Sequence, residues 1–169
     1  MDQLTAHLDR GWDLAQRGDV HGAQASVQRA IELSPTSAEC YNLLGFVSAM
    51  DGDCDEALEA YQQAVILDDT YVEAMLNAAE LLVHPLENFD EAIALCSQVL
   101  DVTEFEDEIL DAKLLQIEAS LSKGDESRAR RVLKSLPLGV FKDPTHNYLA
   151  GRAHFELGIL DRAETLLDA

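Results

Sequence analysis

Small residues recur along the chain at an interval of 34 residues, and this interval constrains the fold more than any other feature. Self-similarity at this period is typical of stacked helical hairpins, and 169 residues accommodate almost five of them. The step lengthens in the middle, to 35 residues between Ala57 and Ala92 and to 37 between Ala92 and Ala129. Six pairs keep the interval of 34: Gly11 and Gly45, Gly18 and Gly52, Ala23 and Ala57, Ala30 and Ala64, Gly124 and Gly158, and Ala129 and Ala163.

Each unit has the hydrophobic pattern of two amphipathic helices joined by a tight turn. In the second unit the pattern predicts a helix over 38–50, a break at 51–53 and a second helix capped by Asp55. Gly45 and Ala57 are small enough to let the two backbones approach, and Tyr61 is expected to fill the space beside them. In the first unit a helix is predicted over 20–33, with Pro35 helping to end it.

The segment 41–69 resembles a tetratricopeptide repeat, with Ser48 and Asp69 at positions where Tyr and Pro are usual. Segment 4–35 is similar to one, and Gly11 fits the pattern. The resemblance covers essentially the whole chain and implies an all-α fold, a right-handed superhelical solenoid of helix-turn-helix units. The expected repeats span residues 4–37, 38–71, 72–107, 110–143 and an incomplete 144–169.

The fourth repeat departs most from the family pattern. Lys113, Gln116 and Ile117 occupy the packing positions of its first helix, so we expect that helix to be rotated or shifted.

The resemblance also implies a concave groove lined by the first helix of each repeat. When the family's groove-facing positions are mapped onto this sequence, they predict a groove that combines aromatic and Met side chains with a line of carboxylates. Such a surface suits a basic or amphipathic peptide. The predicted partner-binding residues are Leu8, Trp12, Glu39, Asn42, Phe46, Met50, Glu73, Leu76, Glu80, His84, Glu118, Tyr148, Arg152 and Phe155. The competing interpretation is that the aromatic residues only pack between repeats and that the acids form a solvated face.

Net charge limits the classes of partner, and the N-terminus and the cysteines indicate the cellular compartment. The chain has 12 Lys and Arg against 32 Asp and Glu, a net charge of −20, which repels nucleic acid and anionic membranes. The N-terminus lacks the basic and apolar regions of a secretory signal. Three cysteines are an odd number, and we expect reduced thiols in a cytoplasmic protein.

Residue patterns for catalysis, cofactors or metals are weak, so we expect neither enzyme activity nor a cofactor. Asp51, Asp53 and Asp55 resemble the start of a calcium loop, but its sixth and twelfth positions are not Gly and Glu. His146 and His154 are two helical turns apart, about 12 Å, too far to share one metal.

Two alternatives remain open. The chain could be the repeat region of a longer protein, possibly an enzyme, in which it positions a neighbouring domain. It could also form a weak homodimer through its C-terminal end, where an uncovered apolar stripe is predicted at Leu160, Ala163, Leu166 and Leu167.

Overall fold

Residues 2–168 are described by a computed structural model, and they form ten α-helices and no β-strand. The first and last residues of the chain, Met1 and Ala169, lie outside the described residues. The helices are α1 (Gln3–Gln16), α2 (Val20–Leu33), α3 (Ala38–Asp51), α4 (Cys54–Leu67), α5 (Val72–Val83), α6 (Phe89–Val102), α7 (Glu106–Ser122), α8 (Glu126–Leu133), α9 (Pro144–Glu156) and α10 (Leu160–Leu167). The chain divides into two compact units, unit 1 up to Leu81 and unit 2 from Leu82 onwards.

A glycine followed by an aspartate makes the turn within several hairpins. Gly52 ends α3 in the left-handed conformation, with φ of 88°. The Asp53 carboxylate then accepts a hydrogen bond of 3.0 Å from the backbone N–H of Glu56, satisfying one of the unpaired donors at the start of α4. The predicted cap at Asp55 is therefore wrong: the cap lies two residues earlier, at Asp53, and Asp55 lies in the first turn of α4.

In unit 1, the expected close approach of α3 and α4 is confirmed. A β-carbon placed on Gly45 would lie 2.6 Å from two ring carbons of Tyr61, whose side chain is buried. One repeat earlier, a β-carbon on Gly11 would lie 2.8 Å from Leu43. Ala57 is also fully buried. Gly11 and Gly45 therefore mark places where helices pack too closely for a larger side chain, whereas Gly52 has open space beside it and is favoured by its positive φ.

In unit 2, α7 is the helix whose pattern departed from the repeat. Gln116 and Ile117 are both buried, whereas Lys113 is half-buried. The Gln116 amide donates a hydrogen bond of 2.8 Å to Ser97 Oγ and one of 3.3 Å to the Ile93 carbonyl oxygen. The buried amide is thus satisfied by α6, which makes a polar residue acceptable at a packing position.

The apolar stripe predicted on α10 is largely internal to unit 2. Ala163 and Leu166 are buried at 2% and 1% exposure, so the expectation that they form an uncovered patch is wrong. Leu166 belongs to the core cluster that also contains Leu133 and Leu157. Leu160 and Leu167 remain exposed on the helix. Residues 2–168 contain no helix long and apolar enough to cross a membrane.

Candidate partner-binding surfaces

In unit 1, the predicted residues of α1 and α3 meet through their aromatic rings. The Trp12 and Phe46 ring centroids are 5.2 Å apart, with the ring planes inclined by 48°. This is a favourable tilted arrangement for two aromatic rings. Both side chains are only half-buried, so each also presents surface to solvent.

A polar network joins α3 to the start of α5. The Asn42 side-chain amide donates to Glu73 Oε1 at 3.1 Å and to the Tyr71 hydroxyl oxygen at 3.3 Å. The Asn42 Oδ1 atom accepts a hydrogen bond of 3.1 Å from the Asn77 amide. Asn42 is fully buried, so its predicted direct contact with a partner must be corrected. It orients Glu73 instead.

The remaining predicted residues of unit 1 differ in exposure. Leu8 is buried in the core formed with α2 and α3, so its predicted contact with a partner must also be corrected. Its position in the repeat points it between helices rather than toward solvent. Leu76 is half-buried. The exposed members are Glu39, Met50, Glu73 and Glu80.

The carboxylates of α5 lie close enough to two phenols of unit 1 to affect their pKa. Burial raises the pKa of the Tyr61 hydroxyl well above its ordinary value, and the charges of Glu80 and Glu73 raise it further. Burial likewise raises the pKa of Tyr71 to about 12, again with a contribution from Glu73. Burial is the main reason that an anion is disfavoured at both phenols, and the nearby carboxylates add to it.

In unit 2, three predicted residues form a polar network around one carboxylate. Glu118 lies on α7 with only 12% of its side chain exposed, and it accepts a hydrogen bond from Arg152 on α9. His84 Nε2 lies 3.1 Å from the same carboxylate oxygen. Burial alone would lower the pKa of Arg152, but the hydrogen bond and charge of Glu118 raise it above its ordinary value. The Glu118 charge is therefore already compensated, unlike the exposed acids of unit 1.

Two aromatic side chains flank this network on α9. Tyr148 and Phe155 are 55% and 62% exposed, and they lie seven residues apart on the helix that carries Arg152. Seven residues correspond to about two turns, so the three side chains share one face of α9. This face offers aromatic surface around a guanidinium.

The sequence interpretation missed two members of the unit 1 network, Tyr71 and Asn77. The spacing of 35 residues between Asn42 and Asn77, one repeat plus one residue, was the signal that could have paired the two amides. No such spacing indicated Tyr71, which lies immediately before α5.

The described residues show little that could hold a metal. Cys40, Cys54 and Cys96 are free thiols, and burial raises the pKa of Cys96 to about 12. Among residues 2–168, no group of three or more His, Cys, Asp or Glu side chains is arranged to hold a metal ion.

Comparison with protein families and curated sequences gives two matches. The family model described as tetratricopeptide repeat matches residues 8–72 and 49–107. A curated protein of Pseudomonas putida KT2440, the probable biofilm formation methyltransferase WspC, is 36% identical over 69 residues. Those residues make up 41% of this chain but only 16% of that protein, so the chain spans a small part of its relative.

Several solved structures have a similar fold at low sequence identity. PilF of Pseudomonas aeruginosa superposes with a TM-score of 0.84 at 20% identity, covering 98% of this chain and 74% of that one. PilW, described as a type IV pilus biogenesis factor, gives 0.80 at 18% identity, covering 98% and 76%. A thermophilic TPR protein of Thermus thermophilus gives 0.73 at 18% identity, covering 96% and 87%.

Proposed function

Because this chain belongs to the tetratricopeptide repeat family, we propose that it is a protein-interaction scaffold that binds a basic or amphipathic peptide segment on the acidic surface of unit 1. We also propose the assignment of five repeats, the last incomplete, as the frame that presents this surface. The binding residues are Trp12 and Phe46 as apolar anchors, with Glu73 and Glu80 as charged partners.

One observation carries the proposal: exposed carboxylates and partly exposed aromatic rings lie on the first helices of unit 1 hairpins without compensating cations. Unit 1 contains three Lys and Arg residues. Arg17 pairs with Asp13, and Arg29 pairs with Glu32. In the described part of unit 1, no Lys or Arg forms an ion pair with Glu73 or Glu80. A lysine or arginine of a partner would supply the missing charge, and aromatic rings are frequent anchors at interfaces.

Glu73 is the best-positioned of these acids. Its Oε1 atom accepts a hydrogen bond from the buried Asn42 amide, which limits the orientations of the carboxylate. A side chain that is already oriented loses less entropy when a partner binds. We expect Glu73 to contribute more to affinity than Glu39, for which no such hydrogen bond is present among the described residues.

The proposal can be tested with short peptides that contain lysines and leucines but no tryptophan. Trp12 is the single tryptophan of the chain, so its emission reports on this surface directly. The double variant Glu73→Gln, Glu80→Gln removes two charges and keeps a side-chain oxygen that can accept from Asn42. We expect it to weaken binding about tenfold at low salt, since each exposed charge pair contributes about 0.5–1 kcal/mol.

The matched control is Asp55→Asn, Glu59→Gln, which removes two exposed charges from α4. It should leave affinity nearly unchanged. Equal loss in both double variants would show that only net charge matters. Binding that leaves Trp12 emission unchanged would place the peptide elsewhere.

We infer that the repeats themselves bind and do not catalyse. A second candidate is that they belong to a longer protein, possibly an enzyme, and position a neighbouring domain or its substrate. The match to the probable methyltransferase WspC favours this candidate, because it covers only 16% of a protein named as an enzyme. Methyl transfer from S-adenosylmethionine to a bound peptide, if this chain alone performed it, would contradict the inference that the repeats do not catalyse.

We propose a cytoplasmic location from the three free thiols, since oxidising compartments favour disulfides. Cell fractionation tests this. A weak homodimer through Leu160 and Leu167 is a further proposal, supported by their exposure on α10. Sedimentation at low and high salt, with Leu160→Glu as the variant, should show association that strengthens with salt and is lost on substitution.

A further inference from the structure

A second surface of different character lies in unit 2, between α8 and α10. It is a groove of about 360 Å³ bounded by both helices, by the segment 136–141 and by the turn before α10. Leu133 and Leu166 are buried at its floor. Leu138 and Ile159 line its edge and are 98% and 39% exposed, so apolar surface continues out of the groove.

The charged residues that line this groove are all cations. They are Arg130 of α8, Lys134 at the C-terminal cap of α8 and Arg162 of α10. No Asp or Glu belongs to the described lining. A groove with this rim is unexpected on a chain with a net charge of −20.

Both rim guanidiniums donate hydrogen bonds to backbone carbonyl oxygens, and of the two only Arg130 also forms an ion pair among the described residues. Arg130 donates to the Leu157 carbonyl oxygen at 2.9 Å, and its nearest carboxylate oxygen, on Glu126, is 3.4 Å away. Arg162 donates to the Gly139 carbonyl oxygen. In the described part of the chain, neither Arg162 nor Lys134 forms an ion pair. Each guanidinium has five N–H donors, so most of its donors remain available.

Positive charge is concentrated in the part of the chain that forms this groove. Residues 113–169 hold nine of the 12 Lys and Arg residues but only eight of the 32 Asp and Glu residues. The acids of unit 1 attract cations, whereas the rim of this groove attracts anions. The two surfaces therefore select partners of opposite charge.

We propose that the groove between α8 and α10 is a second docking site, which binds an acidic peptide segment of a partner protein through one or two large apolar anchors. The anchors cover Leu138 and Ile159 and enter above Leu133 and Leu166. Carboxylates of the segment accept hydrogen bonds from Arg162 and Lys134. The proposal is independent of the unit 1 site, because it concerns different residues and a ligand of opposite charge.

The composition of the groove requires the bound segment to supply both apolar anchors and carboxylates. Apolar floor and edge residues supply area but little selectivity, since exposed apolar patches bind many partners. Arginine matches the planar geometry of a carboxylate and forms charge-assisted hydrogen bonds stronger than neutral ones. An acidic segment without anchors would leave the floor uncovered, and a basic segment would meet the cationic rim.

The test uses a fluorescein-labelled peptide in which glutamates flank a central Phe and Leu, added to the full chain at low salt. A second peptide replaces each glutamate with lysine, and a third replaces Phe and Leu with serine. Fluorescence anisotropy should show binding of the first peptide and weaker binding of the third, whereas the lysine peptide is expected to bind the acidic surface of unit 1 instead. The charge reversal Lys134→Glu, Arg162→Glu should weaken binding of the acidic peptide about tenfold or more.

The matched control, Arg10→Glu, Arg17→Glu, changes net charge by the same amount at exposed sites of unit 1. It should leave binding of the acidic peptide within about twofold of the unaltered chain. Leu138→Ala probes the apolar part separately. Leu138 is almost fully exposed, so this variant should fold normally and bind severalfold more weakly.

Three results would overturn the proposal. The acidic peptide could fail to bind at low salt, the two charge-reversal variants could lose affinity equally, or the serine peptide could bind as well as the parent. If the peptide does not bind and sedimentation shows self-association that Lys134→Glu, Arg162→Glu abolishes, the occupant is a second copy of the chain. Failure of the lysine peptide to bind unit 1 would bear only on the proposed function.

Discussion

Replacing Gly45 with alanine tests the closest contact between the helices of unit 1. An added β-carbon would lie 2.6 Å from Cδ1 and Cε1 of Tyr61 and 2.9 Å from its Cγ. Real β-carbons do not approach other atoms this closely, so a backbone or a ring must move. The Tyr61 ring is rigid and only 3% exposed, so it has little free space to enter. Overpacking a core in this way costs about 1–3 kcal/mol, and three ring atoms in conflict place this case near the upper limit.

Helix propensity partly offsets this cost, because alanine is favoured over glycine inside a helix by about 1 kcal/mol. We therefore expect Gly45→Ala to lower the free energy of unfolding by about 2 kcal/mol, and the thermal midpoint by about 4–8 °C for a chain of this size. Urea unfolding followed by circular dichroism at the helical band measures the change directly.

The matched control is Gly151→Ala in unit 2. There an added β-carbon would lie 2.8 Å from Leu167 Cγ, but the Leu167 side chain is 47% exposed and can rotate away. The change should cost less than about 1 kcal/mol, because propensity and a small shift nearly cancel.

A double variant locates the conflict in the ring. Tyr61→Ala alone should cost about 3–5 kcal/mol, since it leaves a cavity in a packed core. Adding Gly45→Ala to it should cost nothing further, because the conflicting atoms are gone. If Gly45→Ala is as stable as the unaltered chain, or if its cost persists in the Tyr61→Ala background, the close approach of α3 and α4 is not what requires glycine.

Three further predictions concern ionisable groups. Glu118→Gln should lower the free energy of unfolding by about 1–2 kcal/mol, because Arg152 loses its main acceptor. The same substitution should cost much less in an Arg152→Met background, and equal costs in both backgrounds would contradict the network. Because the pKa of folded Tyr71 is about 12 and that of an unfolded tyrosine about 10, its contribution to stability is complete below pH 10 and is lost as pH rises towards 12. Urea unfolding at rising pH should show this loss, and Tyr71→Phe should reduce it. Cys96, whose buried thiol has a pKa of about 12, should react with a thiol reagent at pH 8 far more slowly than the partly exposed Cys54. Rapid labelling of the folded chain that disappears in the Cys96→Ala variant would contradict the burial of Cys96.

The sequence by itself determined the fold class and, to within one residue, the bounds of α2 and α3. The interval of 34 residues and the glycines near the turns record local requirements: a backbone with positive φ at Gly52, and little space beside Gly45. Such requirements are met by single residues at fixed spacing, so they can be read without knowing the tertiary structure. The helix predicted over 20–33 was confirmed at both ends, whereas the cap of α4 was misplaced by two residues.

Only the tertiary structure decided which residues of the predicted set are available to a partner. Family position placed Leu8 and Asn42 in the groove, but both are buried, and Asn42 uses its hydrogen bonds within unit 1. It likewise placed Glu118 among free acids, although Arg152 compensates its charge. The groove between α8 and α10 had no signal in the repeat pattern. Exposure and charge compensation depend on side chains brought close by folding, and a period along the chain does not record those neighbours.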